Sequence, residues 1–153
     1  MVGDHHRLSC TGERESEILM REFKFRAWDD EEKKMYSPED LEQPEVEANE
    51  MKTIYSYLSF GVLCIYDFRQ SEPVELFPMQ ATGWYDKNQT EIYEGDVLQM
   101  EGALHQVIWS EETGGFILLA SDGMVMMGGD YLTDMVEVAG NIYENPDLIN
   151  YKG

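Results

Sequence analysis

Between Ala81 and Leu98 two turn signals stand a few residues apart, with apolar and polar residues alternating around them. Asp86-Lys87-Asn88-Gln89 reads as a turn, because Asp and Asn side chains bond their own backbone two residues on and Asn tolerates positive φ. Glu94-Gly95-Asp96 reads as a second turn, in which Gly95 supplies a left-handed conformation that a Cβ resists. Ile92, Val97 and Leu98 then belong to short strands whose side chains meet in a core. The stretch specifies a tight β-rich corner and carries no recognisable catalytic set.

The rest of the chain continues in the same idiom. Phe23-Lys24-Phe25-Arg26-Ala27-Trp28 alternates as a strand does, with Phe23, Phe25 and Ala27 on one face. Asp29 to Glu32 makes a turn, and Lys34-Met35-Tyr36 returns. Ser37-Pro38-Glu39-Asp40 signals a helix start, with Ser37 as the cap, Pro38 at the first helical position and acids in the first turn; Pro44 keeps the helix brief. Ile54 to Phe68 suits strands with a turn or close approach at Gly61, and Pro73 and Pro78 read as edge or bend residues. After Gly95, short apolar runs are separated by turns at Glu101-Gly102, Ser110 to Gly115 and Asp122-Gly123, and Val136-Glu137-Val138 pairs back. That spacing predicts a closed or partly closed β-barrel.

Three blocks in fixed order carry a family resemblance. They are Arg21 to Asp29, Ala81 to Leu98, and Gly140-Asn141-Ile142-Tyr143-Glu144-Asn145-Pro146-Asp147-Leu148. Together they resemble the YopX family of phage and prophage proteins, over about Met20 to Leu148. The resemblance implies a mainly β fold with some α: an α+β N-terminal part at 20–78, followed by an SH3-like small β-barrel at 79–153. It implies a phage-encoded accessory protein in the host cytoplasm, without an established biochemical role. The motif positions it marks as structural are Thr82, Gly83, Asp86, Asn88, Ile92, Tyr93, Gly95, Asp96, Gly140, Asn141, Asn145 and Pro146. Two departures stand out. Gln89 replaces a family Gly, which implies that Asn88 takes the strained turn position, and Trp84 replaces an aliphatic residue, which implies different local packing.

Residues 1–19 are polar, lack periodicity and end just before Met20, so they read as a disordered leader, with Met20 as the natural start. Cys10 and Cys64 make no disulfide framework, and Cys64 sits in an apolar run that predicts a buried, inert thiol in a reducing compartment. No stretch approaches the roughly 18 apolar residues of a membrane span.

Charge excludes more than any motif. The net charge is −20, from 31 acidic against 11 basic side chains, and between Lys87 and Lys152 there is no Lys or Arg at all. Nucleic-acid binding draws its affinity from cations that displace counterions, so direct binding is not expected. A charged partner is expected to be basic. The acids Asp29, Asp30, Glu31, Glu32, Glu39, Asp40, Glu42, Glu45, Glu47 and Glu50 crowd one stretch with only Lys33 and Lys34 against them. They read as a solvated face, or as a surface for a basic partner in the manner of a DNA mimic.

The remaining chemistry reads as structural. His105 lies in a strand-like run with Val107 and Trp109 on its face and reads as a half-buried, satisfied histidine, since a general base needs a reacting group within reach. His5, His6 and Cys10 match no zinc spacing. Glu91, Glu94 and Asp96 read as turn-capping acids, and Gly114-Gly115 and Gly128-Gly129 lack the Lys or helix of a phosphate loop. The Met-rich run Met124 to Met127 reads as core, with a homo-oligomeric interface as the alternative. The expectation is a protein-binding module without catalytic residues, cofactor or metal; an acidic DNA mimic and an enzyme with a pocket not visible in sequence are the alternatives.

Overall fold

The computed structural model describes residues 22–149 apart from Glu45 and Gln70, so the expected leader 1–19 lies outside the described residues. The alternating run near the start forms β1 (Phe25–Asp29), which turns at the expected acids and pairs antiparallel with β2 (Lys34–Tyr36). Helix α1 (Pro38–Glu42) begins as its cap predicts: Ser37 Oγ accepts from the Asp40 N–H and the Asp40 carboxylate accepts from the Ser37 N–H, both at 3.0 Å. It stops at Gln43, whose left-handed conformation precedes Pro44.

β3 (Ile54–Ser59) and β4 (Val62–Asp67) make a hairpin, followed by the twelve-residue strand β5 (Val74–Tyr85). β5 organises the molecule. Its first part pairs with β4 on one side, through Leu76, and with β1 on the other, through Gln80. Its far end pairs with β6 (Glu91–Tyr93) across the Asp86 turn. The first sheet therefore has the order β2-β1-β5-β4-β3, with β6 on the end of β5. Pro78 falls past the last β4 rung, and the division expected at 78/79 falls inside β5.

The second sheet contains β7 (Asp96–Met100), β8 (Ala103–Ser110), β9 (Gly115–Ala120), β10 (Val125–Met127) and, after a 3-10 turn at Asp130–Asp134, β11 (Glu137–Asn141). Its order is β10-β9-β8-β7-β11, all antiparallel. The molecule is mainly β, as expected, with one short α-helix among the described residues. Among the described residues the strand pairings of the second sheet leave two edges, so they do not close the barrel that the turn spacing predicts.

There are two cores, the second shared between the second sheet and the β5–β6 end of the first. In the first, Ala27, Tyr36, Ile54, Ile65 and Leu76 are buried, with Leu41 of α1 packed on them. In the second, Ile92, Leu98, Met100, Val107, Leu118, Leu132 and Val136 are buried beneath Trp84 and Phe116. A polar bond joins the two sheets: Arg26 Nη2 of β1 donates to Asp96 Oδ1 of β7 at 2.7 Å. Within the first sheet, Lys24 Nζ beside β1 donates to Glu91 Oε1 of β6 at 2.8 Å. Tyr143, beyond β11, stacks on both Trp28 and Phe77, covering the part of the first sheet formed by β1 and β5.

Four local expectations are corrected. Gln89, not Asn88, holds the positive φ, at 65°. Asn88 is committed elsewhere, its N–H donating to Asp86 Oδ1 and its side chain to Glu137. In the Met-rich run only Met126 packs against the core; Met124, Val125 and Met127 are exposed, because β10 is an edge strand. Cys64 is half-buried, since alternation turns it to the outer face opposite Tyr57. His105 is buried, with no hydrogen-bond partner for Nδ1.

Candidate functional site

The motif residues gather into a structural network. Thr82 Oγ1 donates to the Ile92 carbonyl at 2.7 Å and accepts from the Trp84 N–H, holding β5 against β6 where Gly83 takes a φ of 88°. Buried Asp86 accepts from the N–H groups of Asn88, Thr90 and Val138. Gly95, at φ 88°, turns the chain beneath Met79, with Tyr93 buried before it. Buried Asp96 accepts from the Tyr93 N–H and from Arg26, whose guanidinium lies over the Tyr93 ring. Burial pushes the Asp96 carboxyl up against the opposing pull of Arg26 and the Tyr93 N–H. At the C-terminal block, Asn141 Oδ1 accepts from Tyr143 and Glu144, and Asn145 Oδ1 accepts from the Asn141 N–H. A Cβ on Gly140 would lie 2.4 Å from that Asn145 oxygen, and exposed Pro146 follows. These side chains bond to one another and to nearby backbone; Thr82 and Gly83 line one hollow and Asn145 and Pro146 another, so the motif does not converge on a single pocket.

The acidic stretch divides. Asp29 is fully buried, paired with Arg69 and capping the Glu31 and Glu32 N–H groups. Asp30 bonds Trp28 and Lys33, and Asp40 closes the helix cap. Glu31, Glu32, Glu39, Glu42, Glu47 and Glu50 are exposed, and Glu45 lies outside the described residues.

The surface that sequence reasoning missed is the β3–β4 hairpin. From Thr53 to Tyr66 there is no charged residue, the longest such run in a chain of net charge −20. Alternation places Ile54 and Ile65 in the core and turns Tyr55, Tyr57 and Tyr66 outward. Tyr57 stacks on Tyr66 with ring centroids 6.1 Å apart, and Phe68 meets both Tyr66 and Tyr55. The tail that covers β1 and β5 through Tyr143 leaves this half of the face open.

At the tip Leu58 is 71% exposed and Phe60 is fully exposed. Phe60 and Gly61 have φ of 49° and 84°, the pattern of a two-residue type I′ turn, whose first position favours Asn or Gly. A bulky residue there costs on the order of 1 kcal/mol, and Phe60 returns nothing by burial. Phe60→Asn is therefore expected to stabilise the chain by about 1 kcal/mol, a rise in melting temperature of roughly 2–4 °C. A lower melting temperature would show that the ring supports the fold.

Beside the hairpin base, between β3 and α1, lies a groove of about 570 Å3. Phe23, Phe25, Leu41, Ile54, Leu63 and Ile65 line it, with Glu39, Glu42 and Lys52 at its rim. No cluster of His, Cys, Asp and Glu suited to a metal occurs among the described residues, and no helix among them is long and apolar enough to cross a membrane.

A family model described as YopX protein matches residues 24–150, most of the chain. The chain belongs to the YopX family. Among solved structures, protein EF1440 from Enterococcus faecalis is 27% identical, covers 86% of this chain and all of its own, and superposes with a TM-score of 0.54. Protein yopX from Bacillus subtilis, 17% identical over 88% of this chain and all of its own, has a TM-score of 0.50 and shares the fold. A search of curated proteins gives no match. Against the YopX pattern, the Trp84 departure has a local counterpart: its ring lies against Gly128, the residue that leaves room for it. Two sequence signals mark the hairpin, the charge-free run itself and a Phe-Gly turn where Asn-Gly is the usual choice.

Proposed function

We propose that this member of the YopX family works by binding another protein through the β3–β4 hairpin, with Phe60 as the anchor. The observation that carries the reading is Phe60, held fully exposed in a costly backbone conformation at the tip of the chain's longest charge-free run. Isolated exposed apolar residues are ordinary, but contiguous patches mark interaction sites, and interface centres are rich in Tyr, Phe and Trp and poor in charge. Tyr55, Tyr57, Tyr66 and Phe68 supply such a centre, and the exposed acids serve as its solvating surround. The burial of Asp29 and the engagement of Asp30 and Asp40 in local bonds weigh against DNA mimicry as the main role. The family resemblance supports an accessory role in the cytoplasm of a phage-bearing bacterium. We also read the second sheet as SH3-like, because β11 returns beside β7 after a 3-10 turn.

The test is retention on a tagged chain, offered host lysate and, separately, untagged copies of itself, with a high-salt wash. A retained protein that falls at least tenfold with Phe60→Ser and Leu58→Lys is the expected result, about 1.4 kcal/mol or more of binding energy. Retention indifferent to both substitutions, or released by salt and duplex DNA, would move recognition to the acids; no retention from either source would remove the reading.

A further inference from the structure

We propose that the occupant of the hairpin is a second copy of this chain, joined by antiparallel pairing of β3 with its counterpart about a two-fold axis at Tyr57; this rests on the reading that the hairpin binds protein. The starting observation is the state of the sheet edges. An uncovered edge invites strand addition, and proteins blunt edges by shortness, charge, proline or bulges. β2, β6 and β10 have three residues each, and β2 carries Lys34 with Pro38 close behind. β11 is bulged between Val138 and Gly140 and carries Glu137. β3 has none of these devices: six residues in unbroken register with β4, without charge or proline, at the end of its sheet.

Which backbone groups face outward follows from the register. The Phe68 N–H donates to the Thr53 carbonyl across the antiparallel β3–β4 pair, so Tyr55, Tyr57 and Ser59 turn their backbone groups toward β4 and Ile54, Ser56 and Leu58 turn theirs to the open edge. Gln43 Oε1 accepts from both the Thr53 and Ile54 N–H groups, at 2.9 and 3.0 Å, and so caps the start of that edge. Ser56 and Leu58 remain. With the axis at Tyr57, Ser56 of each copy lies opposite Leu58 of the other, and the two pairs exchange four N–H to carbonyl bonds without displacing Gln43. Tyr57 then faces its own copy in a non-hydrogen-bonded pair, where side chains are closest and aromatic pairs stabilise most. The Tyr57–Tyr66 stack of one copy continues into that of the other.

The same register supports a second copy over a foreign strand. It sets Phe60 of each tip opposite Ile54 of the other copy, on the wall of the groove between β3 and α1. One strand thus carries a protruding aromatic tip at one end and, at the other, a recess lined in part by Phe25, Leu41, Leu63 and Ile65, equally spaced from its centre, as an isologous contact requires. Charge agrees: two chains of −20 repel, and Thr53 to Tyr66 is the longest segment along which they meet without opposing like charges. Salt therefore tightens this contact, the reverse of what it does to attraction between opposite charges.

The test joins sedimentation equilibrium with cross-linking of the full chain. Wild type is expected to be a dimer whose dissociation constant falls as salt rises, and Leu58→Lys a folded monomer by circular dichroism. In a background of Cys10→Ser and Cys64→Ser, Tyr57→Cys is expected to give a covalent dimer with diamide. The paired Cα atoms would lie about 4.5 Å apart, within disulfide reach. Tyr55→Cys, opposite Ser59 rather than itself, is expected to give none. A wild-type chain that stays monomeric, or a dimer indifferent to Leu58→Lys and uncross-linked through position 57, overturns the proposal. If a monomeric chain still retains a lysate protein through Phe60, the hairpin reading stands and only the second copy is removed.

Discussion

Asp86→Ala is expected to cost about 3–5 kcal/mol, a large share of the roughly 5–15 kcal/mol that holds a domain together. Its carboxylate accepts three backbone N–H groups at 2.8 to 2.9 Å, from Asn88, Thr90 and Val138. Two of these close the β5–β6 corner, and the third fastens it to β11, fifty-two residues on. Alanine leaves buried donors without partners, and the Gln89 turn, already at positive φ, loses the anchor that offsets its strain. Burial pushes the Asp86 carboxyl up, but the Val138, Thr90 and Asn88 N–H groups together hold it below its ordinary value. A carboxyl lowered on folding contributes stability above the usual carboxylate range and loses it as pH falls through the folded value. The gap between wild type and Asp86→Asn should therefore be widest near neutral pH and narrow in acid, measured by urea unfolding across pH. A gap independent of pH would mean that shape, not charge, is what Asp86 supplies.

Gly128→Ala is expected to cost about 2–3 kcal/mol, because its Cβ would sit 2.1 and 2.3 Å from Cη2 and Cζ3 of Trp84. The ring has little freedom to yield, packed edge-on against Phe116, itself edge-on to Trp109. Gly128 is not in the left-handed region, so the penalty is steric. Trp84→Leu alone destabilises by leaving a cavity. The double substitution should therefore cost less than the sum of the two, by at least about 1 kcal/mol in a double-mutant cycle of chemical denaturation. Strict additivity would show that Trp84 moves aside and that the pair is not coupled.

Elements and turns were legible wherever one local rule governed them. Ser37-Pro38 with Asp40 set the helix start, Gly95 and Glu101-Gly102 took the positive φ values that their turns demand, and the alternating runs of β1 and β8 formed strands, although Phe23 and Trp109 on the predicted faces are exposed while Trp28 is buried. The Asn88 assignment failed for a physical reason. Asn is the better left-handed residue by itself, but its N–H and side chain are claimed by Asp86 and Glu137, a strand that arrives from far along the chain. The Met-rich run misled in the same way, since apolarity says that a side chain gains by burial and not whether a neighbour exists to bury it. β10 is at an edge, so most of that run has none.

The candidate surface was half written in the sequence. The charge-free run and the Phe-Gly turn are visible in the letters alone, whereas the meaning of Tyr55, Tyr57 and Tyr66 depends on which sheet face the C-terminal tail covers. By itself the sequence determined the local objects: short strands, their turns, one capped helix, an acidic surface and the YopX blocks. Each follows from backbone preferences and charges acting within a few residues. Tertiary structure alone decided which strands became edges among the described residues, which aromatic side chains Tyr143 would cover, and that Phe60 would stand exposed at the tip of the edge strand β3. Those outcomes depend on pairings between residues far apart, whose energies no local window contains.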